Sequence, residues 1–171
     1  EIPLLDYESC NLGSINLACH VRRGPDGGAA VDWEGLATTV EEAVRFLDDV
    51  VEANGYVPAV PELAEAAHRT RRIGLGITGL GDVLYQLRIR YGSEESRELA
   101  GQLIAFIRYH AMEASVALAR ERGPFPAIDG SVYDPEDVRW EPPQPVEPFG
   151  HAARWGRPAL DWGALVERIE R

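Results

Sequence analysis

The chain has 171 residues, 45% of them hydrophobic and 26% charged, which suits one globular unit with its own core rather than a disordered tail. Its 28 acidic residues outnumber 17 basic ones, all of them arginine, for a formal charge of −11. That argues against a nucleic-acid binder, because phosphate neutralisation needs a concentrated basic face.

No apolar run reaches the roughly 18 residues of a membrane span. The first residues show no basic region followed by an apolar one, as a secretory signal would, so no membrane association and a cytoplasmic location are expected.

In chain order, Ile2–Leu5 and Leu12–Val21 read as strands. The second alternates, with Ile15, Leu17, Cys19 and Val21 on one apolar side. Cys19 therefore reads as a small buried residue. Cys10 is different, because it sits in the polar run Glu8-Ser9-Cys10-Asn11. The breakers of Arg22–Gly28 mark a loop.

Asp32 is placed to cap a helix over 33–53, whose stripe is Trp33, Leu36, Val40, Ala43, Val44, Leu47, Val50 and Val51. Asn54-Gly55 ends it, since both residues tolerate the left-handed conformation. After Pro58 and Pro61 a second helix is expected over 61–71. A glycine-dotted apolar segment, Ile73–Leu87, is read as containing a helix over 77–88, its glycines allowing close helix packing.

Ser93 opens the longest helix, 94–122, with Glu95 and Glu98 near its positive end. Residues 127–157, rich in Pro, Gly and Trp, read as irregular, and a last helix is expected over 161–170. The fold class is mainly α with a few β-strands, in a single unit over 1–171. The strands are too few for a sheet that stands alone, so the chain reads as a piece of a larger fold.

Two cysteines do not make a disulfide framework and are too few for a cysteine zinc site. His20, His68, His110 and His151 are scattered without ligand spacing, so they read as structural and no metal site is expected.

Gly74, Gly76 and Gly79 match the dinucleotide spacing G-x-G-x-x-G. That motif needs a buried strand before it and an acidic residue about 20 positions on. Here the charged run His68–Arg72 precedes it, and Tyr91-Gly92-Ser93, a turn and helix cap, lies beyond it. A dehydrogenase built on this run is the weaker reading, and it predicts nicotinamide binding.

Residues 1–17, E-I-P-L-L-D-Y-E-S-C-N-L-G-S-I-N-L, resemble the active-site stretch of the catalytic subunit of ribonucleotide reductase in its adenosylcobalamin-dependent (class II) form. The resemblance continues through Asp32-Trp33, Arg45–Val50, Arg69–Gly76, Gly79-Leu80 and Arg120–Pro126. It covers most of residues 1–126 and is weak over 127–157. Leu160–Arg171 resembles a helix shortly before the family's phosphate-binding loop.

The resemblance implies a fragment of the ten-stranded α/β barrel of that family. In the family an asparagine-proline-cysteine-glycine precedes the glutamate, and this chain starts just after where those four residues would stand. It is therefore expected to be an excised segment, a gene fragment or an extein, inactive alone because it lacks the radical-bearing cysteine.

By position, Glu1 matches the general base that takes the ribose 3′-hydroxyl proton. Cys10 matches one of the two reducing cysteines, forming its disulfide with a cysteine outside this chain. Asn11 and Leu12 are expected to contact substrate.

The cofactor implied is adenosylcobalamin. The partners implied are the ribonucleotide substrate, the remaining parts of the reductase, and a thioredoxin-like or dithiol reductant that restores the redox-active disulfide. Strand edges without neighbours further suggest self-association into a homo-oligomer. The competing reading is a non-catalytic helical interaction module descended from a reductase.

Overall fold

The structure, a computed structural model, describes residues 3–144 and 154–169. Helix α1 (Trp33–Ala53) starts where Asp32 accepts a hydrogen bond from the Gly35 amide at 3.0 Å, satisfying one of the amides that every helix start leaves unpaired. Leu36, Val40, Val44, Leu47 and Val51 recur at three- and four-residue spacing and are buried, as an amphipathic stripe requires. The end of α1 departs from expectation. Asn54 is extended (φ −69°, ψ 125°) rather than left-handed, and its amide still closes on the Val50 carbonyl at 3.1 Å.

Helix α2 (Glu62–Thr70) follows the two prolines and stops at Arg71, which is left-handed with φ 46°. Helix α3 (Leu80–Gln86) is short, and Gly79 with φ 72° turns the chain into it. The longest helix, α4 (Glu94–Arg122), is capped by the Ser93 hydroxyl, which accepts from the Ser96 amide at 3.1 Å. Gly123 (φ 88°) ends it. Helix α5 (Trp162–Ile169) closes the described chain.

The main core gathers α1, α3 and α4 around Leu36, Val40, Val83, Leu99, Leu103 and Phe106. Each of these is at most 1% exposed, and burial of one such side chain contributes about 1.5–3 kcal/mol. A second cluster joins Tyr109 of α4 to Leu165 of α5 and Trp140. Residues 127–144 and 154–161 carry no helix or strand. They are tied down at single points, such as the Trp33 indole donating to the Trp155 carbonyl at 2.8 Å.

Among the described residues four strands form two pairs. β1 (Asn11–Asn16) runs parallel to β4 (Ile73–Thr78), with Asn11 opposite Ile73 and Asn16 opposite Thr78. β2 (Val21–Arg23) and β3 (Ala29–Val31) form an antiparallel hairpin around the Gly24–Gly28 turn. A parallel pair needs a long crossover, and here it contains the hairpin, α1 and α2.

Several sequence expectations are corrected. Pro3–Leu5 is not strand: Pro3 has no amide to donate, and Leu5 is held in a tight turn by Glu8. The stretch 12–21 is not one strand. Asn16 accepts from the Ala18 amide at 3.1 Å and opens a 3-10 turn, Leu17–His20, that separates β1 from β2. That turn swings Cys19 outward, so it is exposed, not buried. Residues 77–79 are not helical, because Ile73–Thr78 is a strand with its glycines inside it.

Candidate functional site

The β1–β4 pair has two unlike faces. On one, Gly13, Ile15, Leu75 and Ile77 face the interior: a Cβ built on Gly13 would lie 3.6 Å from the Leu47 methyls of α1, and Ile15 is 4% exposed. Side chains alternate along a strand, so Cys10, Leu12 and Ser14 fall on the other face, opposite Gly74 and Gly76. A Cβ on Gly74 would meet Leu12 at 2.5 Å and the Cys10 sulfur at 3.4 Å, and one on Gly76 would meet the Ser14 hydroxyl at 3.4 Å. Leu12 is 68% exposed. This face is open and poor in side chains, and Cys10 stands at its rim.

Cys10 is half-buried, and its thiol lies 3.7 Å from the Asn11 carbonyl oxygen. Asn11 points the other way, its amide donating to the Leu47 carbonyl at 3.3 Å. That bond ties β1 to α1 beside the thiol. Glu1 lies outside the described residues, as does His151.

The turn that delivers Cys10 is fixed by Glu8, whose carboxylate is fully buried. One oxygen accepts from the Leu5 amide at 2.9 Å and lies 3.2 Å from the Arg72 guanidinium, and the other oxygen is buried without a partner among the described residues. The Leu5 amide first, and the Arg72 charge after it, hold the Glu8 carboxyl below its ordinary range. Its stabilising effect is therefore complete above the unfolded value of about 4.3 and is lost as pH falls through the folded value.

The Leu5 amide resonance is expected to titrate with a midpoint below that of a free glutamate, and Glu8→Gln to remove the transition. A midpoint at the ordinary glutamate value would show that the carboxylate is not held this way.

Behind the sheet, three separated stretches meet in an ion-pair knot. Asp48 of α1 takes Arg71 at 2.8 Å and Arg122 at 2.6 Å. Arg71 also pairs with Glu52, Arg122 reaches Asp49 at 2.7 Å, and Arg45 binds Glu121 through two contacts of 3.1 and 2.7 Å. The knot joins α1, the residues leading into β4, and the end of α4. It therefore sets where β4 starts beside Cys10.

His110 packs between Phe106 and Tyr109, at centroid distances of 4.3 and 5.3 Å. Burial lowers its pKa despite Glu113 at 3.1 Å. His68 packs edge-on to Tyr56. Among the described residues no helix is long and apolar enough to cross a membrane, and no three His, Cys, Asp or Glu side chains gather as metal ligands.

Sequence reading missed Glu8, Arg72, Asp48 and Gly74. Ile73-Gly74-Leu75-Gly76-Ile77-Thr78 has the two-residue alternation of a strand, and that signal was sufficient to find β4. Because Gly74 and Gly76 lie within the strand and only Gly79 lies in the turn after it, the run does not form the phosphate-binding turn of a dinucleotide site.

Residues 1–171 match the family described as the barrel domain of ribonucleotide reductase. The vitamin B12-dependent ribonucleoside-diphosphate reductase of Mycobacterium tuberculosis (strain CDC 1551 / Oshkosh) is 53% identical over 133 residues, covering 78% of this chain and 18% of that protein. The protein of the same name from Thermoplasma acidophilum is 45% identical over 139 residues, covering 81% and 17%. Subunit alpha of the Chlamydia pneumoniae ribonucleoside-diphosphate reductase is 42% identical over 125 residues, covering 73% and 11%. The chain thus spans less than a fifth of the length of these relatives. With the whole chain matched, it belongs to the ribonucleotide reductase barrel-domain family.

Proposed function

We propose that this chain is the part of an adenosylcobalamin-dependent ribonucleotide reductase that supplies the general base and one reducing thiol. The supporting observation is the open β1–β4 face, which presents Cys10 beside bare glycine backbone, fixed from behind by the Glu8–Arg72 contact and the Asp48 knot. The similarity to two relatives named as vitamin B12-dependent favours that class. In this reading β1 and β4 are neighbouring staves of the ten-stranded barrel, and their outer edges are completed by strands of the rest of the protein or, in the isolated chain, by a second copy.

The chemistry follows from the residues. Glu1 takes the 3′-hydroxyl proton of the ribonucleotide. Cys10 and a cysteine elsewhere in the protein together give two electrons and two protons. The 2′-hydroxyl leaves as water, a C–H bond replaces it, and the two sulfurs join as a disulfide. A thioredoxin-like or dithiol reductant then restores both thiols by exchange. Leu12, on the open face beside Cys10, borders the ribose, and Asn11 does so only through its backbone, since its side chain is turned to α1.

Adenosylcobalamin, when bound, supplies the radical start. The donor set of the described face is one thiol, one hydroxyl and bare backbone. It suits sulfur chemistry and not a corrin ring, so the cofactor is placed with the rest of the enzyme.

The test is complementation. The purified chain, mixed with separately produced flanking parts of the reductase, is expected to restore ribonucleotide reduction that neither component shows alone. Failure in a mixture shown to assemble would favour the non-catalytic module.

A further inference from the structure

We propose that Gly74 is the residue that keeps Cys10 accessible to a second sulfur. This rests on the reading of Cys10 as a redox thiol, and it assigns a role to a glycine that the reaction itself does not require.

The strand position does not call for glycine on backbone grounds. Gly74 lies mid-strand in β4 and is not among the positive-φ glycines, so any L-residue can adopt its conformation, and glycine there weakens the strand. What position 74 lacks is room. A Cβ would sit 2.5 Å from the Leu12 δ-methyl and 3.4 Å from the Cys10 sulfur.

The first of these contacts is relieved without disturbing the core, since Leu12 is 68% exposed and the contact is to the end of its side chain. A displaced Leu12 and a new methyl would then both crowd the rim of the open face where the thiol stands. Disulfide exchange brings an attacking or attacked sulfur to about 2.05 Å from Sγ with its own carbon behind it. It is therefore sensitive to bulk at this rim. The neighbouring Gly76 is the internal control. It lies on the same face of the same strand, but its Cβ would touch only the Ser14 hydroxyl and the Gly13 carbonyl, at 3.4 and 3.7 Å.

The experiment uses the full chain with Cys19→Ser, so that Cys10 is the one thiol present. The probe is dithiobisnitrobenzoate. The Cys10 thiolate attacks its disulfide, one half stays bonded to Sγ, and the other half leaves as the coloured thiolate. Rates are compared on the high-pH plateau, where only access to the thiolate is read, and a thermal melt of each variant reports the fold.

Gly74→Ala is expected to slow the reaction about threefold and Gly74→Val about tenfold, as thiol reactivity follows access. Melting midpoints should be unchanged or raised, and Gly76→Ala should react as the parent does. Unchanged rates in a folded Gly74→Val, or an equal loss in Gly76→Ala, would overturn the proposal. If Gly74→Val does not fold, Gly74→Ala decides. Because the readout is the isolated thiol, its failure is distinct from failed complementation.

Discussion

Cys10→Ser, placed in a complete reductase assembled around this chain, is expected to abolish multiple turnover, whereas Cys19→Ser leaves turnover near the parental rate. In the proposed reading serine cannot form the disulfide that takes up the oxidising equivalents, so the two electrons that replace the 2′-hydroxyl have no source. Radical initiation, in the same reading, uses a different cysteine, outside this chain. The Cys10→Ser enzyme should therefore still consume cofactor and release free base from the substrate in an abortive reaction.

A buried Cys19, as its strand-like alternation suggests, would accept serine at the cost of burying a hydroxyl. The structure makes the substitution milder still, since Cys19 is exposed on the 3-10 turn after β1 and a hydroxyl there meets water. The measurement is deoxyribonucleotide formed per enzyme with dithiol in excess. Equal turnover of the two variants would remove Cys10 from the reducing pair.

The contrast between the two cysteines also shows what the sequence made legible. Helices announced themselves through local signals. Asp32 and Ser93 cap where their side chains could reach back to a free amide, and the stripe of α1 is buried as its spacing requires. Features that depend on partners distant in sequence were hidden. Leu12–Val21 has a strand's alternation, yet the Asn16 side chain competes for the Ala18 amide and breaks the strand, turning Cys19 outward.

β4 was misread for the opposite reason. Its glycines looked like helix-packing residues, and only its pairing with β1 reveals that they clear a face beside a thiol. The family resemblance pointed to Cys10 directly, but it gave no account of Glu8 or Arg72. Their contact exists because residues 3–10 fold back as a turn instead of extending as a strand.

Asp48→Ala is expected to destabilise the chain by about 2–3 kcal/mol, since hydrogen bonds to charged groups contribute about 1.5–3 kcal/mol each. Among the described residues Asp48 is the one carboxylate that both Arg71 and Arg122 reach, and its side chain is 13% exposed, so water replaces it poorly. The loss should stay below the cost of stranding two unpaired cations, because Arg71 keeps Glu52, and Arg122, itself exposed, keeps Asp49.

Arg45→Ala removes a pair with Glu121 in which both side chains are about half exposed. It should leave stability unchanged within the precision of a urea titration, as solvent-exposed pairs usually do. The decisive comparison is local. The knot fixes Arg71, and Arg71 immediately precedes Arg72 and β4. Asp48→Ala should therefore loosen the β1–β4 pairing ahead of global unfolding, with amide exchange in Ile73–Thr78 rising more than in the middle of α4. Uniform acceleration across both elements would show that the knot stabilises the chain as a whole and does not specifically hold the strand beside Cys10.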